Sequence, residues 1–268
     1  MKTRAITGVL FVAAMLVSVL FGEYTFSVCM LLLSVFCLDE FYRLVKKDPV
    51  KPHRFLGIIL GLGIFIPTAA YFLKGDELAC ILIAVPLSVL IFLAELYRKS
   101  EVPFHNIAYT FLGVLLVILP FNFFHAMAFI EGAYNFHLPL GFLLLLWAHD
   151  TGAYLIGVKL GKNRLFERHS PKKSWEGFFG GMVTSLLVSW VLSNYYTELS
   201  ALHWAAISLI IAVIGTYGDL VESMLKRSMN KKDSGSLLPG HGGLLDRFDG
   251  LFLSVPLVFV YLYIVFRY

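Results

Sequence analysis

Apolar residues run in long blocks along this chain, and short polar stretches separate them. Nine blocks come close to the roughly 20 residues that cross a hydrocarbon core as a helix. They cover residues 5–22, 25–42, 55–73, 78–97, 106–130, 138–160, 177–196, 203–225 and 250–266. None shows the alternation of a transmembrane barrel strand. In hydrocarbon each segment must satisfy its own backbone groups, so the blocks predict helices. The fifth carries Pro120, which predicts a kink or break at that point. The pattern predicts an all-α integral membrane protein with about nine transmembrane helices. The start, Met1 to Arg4 followed by an apolar run to Gly22, has the form of a signal peptide. No small-x-small cleavage site follows, so it reads as a retained signal anchor.

Composition agrees. Hydrophobic residues make up 58% of the chain and charged residues 15%, against about 45–50% and about 25% in soluble domains. That balance excludes both a soluble globular domain and a disordered chain. Charge sets orientation: with nine spans, 20 of the 22 lysines and arginines fall on one side, and Lys74 and Arg267 on the other. The positive-inside rule then puts the N-terminus in the cytoplasm and the C-terminus outside. The longest polar stretches, 161–176 and 226–249, fall on the cytoplasmic side, so chemistry is expected at that membrane face. No soluble domain, linker or internal repeat interrupts the pattern. Residues 1–268 read as one polytopic membrane domain, with N-terminal spans in 1–140 and site motifs in 141–268. Cys29, Cys37 and Cys80 lie in or beside apolar runs, form no CxxC pair and are odd in number. They predict buried apolar residues rather than zinc ligands or disulfides. Gly57/Gly61, Gly157/Gly161 and Gly177/Gly180/Gly181 read as close-packing positions between helices.

Charge inside a span needs a reason, since it costs about 2.5–3.5 kcal/mol on insertion. The sixth block holds His149-Asp150-Thr151. For Asp150 the choice is between a structural pair with a neighbouring cation or His149 and a place in a site; His149 itself reads as an interior histidine. The eighth block ends with Gly215, Asp219, Glu222, Ser223 and Lys226 three or four apart, hence on one helical face. Such a stripe must face a cavity or the protein interior.

The loop that follows is the richest segment. It contains Lys226, Arg227, Lys231, Lys232, Asp233, Gly235, the run Pro239-Gly240-His241-Gly242-Gly243, and Asp246-Arg247-Phe248-Asp249. Closely spaced glycines allow a backbone anion nest, cations suit phosphate oxygens, and Asp246 and Asp249, three apart, suit one divalent cation. Magnesium, held by one or two carboxylates and substrate phosphates, is the natural choice. A basic loop attracted to anionic headgroups accounts for the lysines but not for the acids and glycines. The loop before the seventh block adds Lys162, Arg164, Arg168, Lys172 and Lys173, either triphosphate clamps or a solvated basic loop, together with His169, and Trp175 as an interfacial anchor.

Residues 223–249 resemble the signature of phosphatidate cytidylyltransferases, S-x-x-K-R-x4-K-D-x-G-x2-L-P-x-H-G-G-x2-D-R-x-D, at every fixed position. The segments 149–157 (HDTGAYLIG) and 170–181 (SPKKSWEGFFGG) also resemble that family; residues 1–140 match mainly in length and hydropathy. The resemblance implies a magnesium-dependent enzyme of a bacterial inner membrane. It would convert CTP and phosphatidic acid to CDP-diacylglycerol and pyrophosphate, with its active site facing the cytoplasm. Asp219 and Asp246 look like the metal-binding acids, with Asp249 a third. Lys226, Arg227, Arg247 and the turn His241-Gly242-Gly243 look like phosphate-binding elements, Lys226 and Arg227 joining Asp219 and Asp246 as the catalytic set; Lys232, Lys172 and Lys173 complete the substrate set, and Ser223 would orient either a phosphate or a metal-bound water. A homodimer is expected from the family, and no nucleic-acid partner. Two rivals remain at this stage: a CTP-using membrane enzyme with another lipid acceptor, such as a polyprenol, and an ion-coupled transporter using Asp150, Asp219 and Glu222.

Overall fold

The computed structural model describes residues 2–235 and 242–267, with side chains from Ile6 onward. Each of the nine apolar blocks is occupied by one continuous helical stretch. These are α1 (Lys2–Leu20), α2 (Glu23–Val45), α3 (Arg54–Lys74), α4 (Leu78–Tyr97), α5 (Pro103–Met127), α6 (His137–Leu160), α7 (Trp175–Tyr195), α8 (Ala201–Ser228) and α9 (Asp249–Arg267). Among the described residues, the seven from α3 to α9 are long and apolar enough to cross a membrane, and α1 is apolar from Ile6 to Leu20. Large side chains such as Leu96, Leu187, Trp190 and Leu202 stand exposed along them, a surface suited to lipid rather than water.

Two sequence expectations need correction. Pro120 does not break α5: a π-helical turn over Val114–Ile118 precedes it, and Leu119 N–H donates to Val114 O. The widened turn takes up the defect left by the missing proline N–H. The polar stretch after α6 is also not a plain loop. It folds into an antiparallel hairpin, β1 (Arg164–Phe166) and β2 (Ser170–Ser174), with Phe166 stacked on His169. Cys37 is buried as expected and Cys29 partly so, but Cys80 is exposed.

The described chain forms two compact units, residues 1–134 with 229–247, and residues 135–228 with 248–268. In the first, α2 is the central helix: Phe26, Met30, Cys37, Leu38, Phe41, Tyr42 and Leu44 are buried along it. Tyr42 donates its hydroxyl to Thr110 O at 2.7 Å. Its ring fills the space that a side chain at Gly57 or Gly113 would need, so those glycines let α3 and α5 close on α2. Asn106 Nδ2 donates to buried Glu95 at 2.7 Å, and His53 pairs with the same carboxylate.

In the second unit α6 and α7 pack through glycine. A Cβ on Gly177 would lie 2.8 Å from Ala153 O and 3.1 Å from Gly157 Cα, both backbone atoms. Ser174 caps α7 by accepting from Gly177 N–H, and Glu176 accepts from the Lys162 and Asn163 N–H groups, which ties the base of the hairpin to α7. Buried Ser208 donates to Ser185 at 2.9 Å between α8 and α7. The glycine pairs therefore occupy close-packing positions, as the sequence suggested.

Candidate active site

A second π-helical turn, Ile211–Gly215, interrupts α8 and ends at the first residue of the polar stripe. From Thr216 the helix is regular, so Asp219, Glu222, Ser223 and Lys226 keep their common face. Glu222 and Lys226 are buried, while Tyr217 and Met224, on other faces, are exposed. Ser223 donates to Asp219 Oδ1 at 3.3 Å, and Lys226 donates to Glu222 Oε2 at 2.7 Å. The start of α9 approaches this face at Gly218, whose missing side chain leaves room for the Asp249 carbonyl.

That approach assembles an acid centre. One carboxylate oxygen from each of Asp219, Glu222 and Asp249 lies within 4.8 Å of the others. Like charges that close repel by a few kcal/mol even at an effective dielectric of about 20, so the trio calls for cations. Lys173 forms an ion pair with Asp219. The donor set is three hard oxygens, the chemistry that a magnesium-sized ion accepts from protein.

The centre opens into a cavity of about 630 Å³, within the range of small-molecule sites. Arg164, Lys172 and Lys173 line it with positive charge, Asp150, Asp219 and Asp249 with negative charge, and Ala153, Val158, Leu165 and Phe178 form apolar wall. Asp150, left open by the sequence, thus lies on the site side. His149 is 3% exposed and faces Thr216 Oγ1 at 3.0 Å, an interior histidine as read from the chain.

Other expected site residues are placed differently. Asp246 belongs to the first unit, where its Oδ2 accepts from Ser234 N–H at 3.0 Å and Gly243 N–H at 2.8 Å. Gly242 adopts φ +83°, in the left-handed region that favours glycine, and Gly243 is buried beside it. Lys232 and Arg247 are exposed in the same unit, and Arg227 is exposed on the last turn of α8. His241 lies outside the described residues. The structure thus brings together Asp219, Asp249, Lys172 and Lys173 around one cavity, with Ser223 on Asp219 and Lys226 on Glu222. Sequence reasoning missed Glu40, a buried carboxylate in α2 that receives Leu244 and Leu245 N–H. Its one signal, an acid ending an apolar run, was also compatible with an ordinary surface position.

A family profile described as "Cytidylyltransferase family" matches residues 2–265. The chain belongs to the cytidylyltransferase family. Curated relatives agree over nearly their full lengths. The phosphatidate cytidylyltransferase of Bacillus subtilis (strain 168) is 30% identical over 260 residues, covering 97% of this chain and 96% of the relative. That of Staphylococcus haemolyticus (strain JCSC1435) is 32% identical over 265 residues, covering 96% and 97%. The Staphylococcus saprophyticus protein of the same name is 33% identical over 263 residues, with 96% and 97% covered. The cavity between the β1–β2 hairpin, α6 and the α8–α9 acids is lined by charges of both signs.

Proposed function

We propose that this chain is a phosphatidate cytidylyltransferase, making CDP-diacylglycerol and pyrophosphate from CTP and phosphatidic acid. The observation that carries the reading is the cavity where Arg164, Lys172 and Lys173 face Asp150, Asp219 and Asp249 beside an apolar wall. A polyanion and a lipid have opposite requirements, and this cavity offers both kinds of lining. Full-length similarity to phosphatidate cytidylyltransferases favours this acceptor over a polyprenol, and favours an enzyme over a transporter.

In the proposed reaction an oxygen of the lipid phosphate attacks the α-phosphorus of CTP, the new P–O bond forms, and the bond to the β-phosphate breaks to release pyrophosphate. The attacking phosphate is an anion at neutral pH, so the protein needs no strong general base. Its work is to hold two polyanions together and to stabilise the departing charge. Lys172, Lys173 and Arg164 would hold triphosphate oxygens. Asp219 and Asp249 would hold Mg²⁺, with Glu222 as the third acid of the trio and Ser223 orienting the Asp219 carboxylate. When bound, the metal would supply charge neutralisation at the phosphates and at the leaving pyrophosphate. For Asp246, three positions before Asp249 in the chain, we retain the metal-side role that the resemblance implies. Gly242, Gly243, His241, Lys226, Arg227, Lys232 and Arg247 retain their substrate roles.

The membrane arrangement belongs to the same proposal. Nine helices would cross a bacterial inner membrane as one domain, N-terminus in the cytoplasm and C-terminus outside, with the site on the cytoplasmic face and the diacyl chains left in lipid. A homodimer is part of this reading. The test is direct: purified protein in detergent with radiolabelled CTP, phosphatidic acid and Mg²⁺ should yield a labelled lipid, lost with EDTA or in Asp219→Asn. Folded protein that labels no phosphatidic acid but labels a polyprenyl phosphate would overturn the acceptor.

A further inference from the structure

The first unit holds a carboxylate that the reaction as described does not use. Glu40, on α2, is 7% exposed. Its Oε2 accepts from Leu244 N–H at 2.9 Å and its Oε1 from Leu245 N–H at 3.1 Å, and Oε1 also receives the Ser234 hydroxyl. Every one of these donors lies in the 223–249 signature, about 200 residues along the chain. Ser234 Oγ stands 2.9 Å from Asp246 Oδ2, which also takes the Ser234 and Gly243 N–H groups. One serine thus links Glu40 to Asp246, and both carboxylates clasp the two described arms of the loop, 234–235 and 242–246.

Two signature glycines report how closely Glu40 is fitted. A Cβ on Gly235 would lie 2.8 Å from Glu40 Cδ, and one on Gly243 would overlap the Glu40 carboxylate and Ser234 Oγ. The seat at Gly235 and Gly243 is therefore occupied by an α2 side chain. A buried carboxylate with three donors belongs to the strong class of hydrogen bonds, and its loss releases all of them together. A half-buried neighbour makes the contrast: Asp39, one residue earlier, pairs with Arg43 and Arg54.

We propose that Glu40 is a positioning residue for cytidylyl transfer, setting the Asp246 carboxylate and the Gly242–Gly243 turn through Ser234 and the Leu244–Leu245 amides. The inference rests on the cytidylyltransferase reading of the signature loop. Glutamine at position 40 has the shape of glutamate, yet its NH₂ must face one of the two backbone N–H groups, so it cannot accept from Leu244 and Leu245 together.

The experiment compares wild type, Glu40→Gln, Ser234→Ala, the double variant and Asp39→Asn in detergent, by steady-state kinetics and by hydrogen exchange of the Leu244 and Leu245 amides. Expected is a fall in kcat of roughly 10- to 100-fold in Glu40→Gln, the size of lost hydrogen bonds to a charged group. Asp39→Asn should keep wild-type rates, and exchange at Leu244 and Leu245 should accelerate in Glu40→Gln alone of the two. The double variant should lose little more than Glu40→Gln, because the two act as one linkage. Wild-type kcat in Glu40→Gln, multiplied losses in the double variant, or unchanged amide exchange would each overturn the proposal. The exchange readout needs no turnover, so a wild-type protein that transfers no cytidylyl group would refute the enzyme reading without touching the Glu40 linkage.

Discussion

Lys226 Nζ lies 2.7 Å from Glu222 Oε2, one turn back along α8, and both residues are buried. The lysine assigned to substrate phosphate is therefore also the counter-charge of an acid in the metal-competent trio. Removing it leaves the Glu222 carboxylate without its lysine. Lys226→Met is expected to lower stability by about 3 kcal/mol, read as a drop in Tm in detergent. Adding Glu222→Gln should recover most of that Tm while activity stays low. Recovery of both would make the pair purely structural.

Asp219 and Asp249 reach one centre from different helices, so each should be needed separately. Asp219→Asn and Asp249→Asn are each expected to cut turnover roughly 10²-fold or more. Mg²⁺ at 100 times its dissociation constant should stabilise wild type by about 2.7 kcal/mol. The corresponding Tm rise should vanish in both variants, and a rise that persists would place the metal elsewhere.

Lys173 pairs with Asp219 and lines the cavity. If it holds triphosphate, Lys173→Met should raise the KM for CTP by roughly 10-fold, the scale of one charged hydrogen bond, and leave the KM for phosphatidic acid close to wild type. An effect confined to the lipid KM would assign this lysine to the other substrate.

Gly177 faces backbone atoms of α6, which cannot swing aside as a side-chain end can. Gly177→Ala should cost about 1–3 kcal/mol by overpacking. Because Gly157, Gly161 and Gly177 also line the cavity, activity should fall with Tm, whereas Gly132→Ala, strained by its φ of +91° in an exposed loop of the first unit, should lower Tm alone.

The helices were legible because a 20-residue apolar run has few alternatives in a membrane protein, and all nine blocks fell on helices. What the runs did not encode were the two π-helical turns, which depend on Pro120 and on packing around Gly215. The hairpin was hidden too, since the Arg164–Ser174 segment has too little alternation to mark a strand. At the site, the stripe from Asp219 to Lys226 was readable from spacing alone. The approach of Asp249 was not, because it depends on the space at Gly218 and on α9 beginning at that acid. Glu40 was invisible for a similar reason: its donors lie about 200 residues away, and no local pattern announces a partnership of that range.

The chain leaves the second unit after Ser228, contributes residues 229–247 to the first, and returns for α9. Each unit is consequently woven from two separate stretches of the gene, and the acid trio spans one of those seams. A single recombination joint near residue 134 would swap most of the first unit but separate Glu40 from the loop it holds, mixing α2 of one parent with the signature of another. Such hybrids should survive only when both parents agree at Glu40, Ser234, Gly235 and Gly243. The reach of α2 across the chain thus sets which exchanges between relatives should be tolerated.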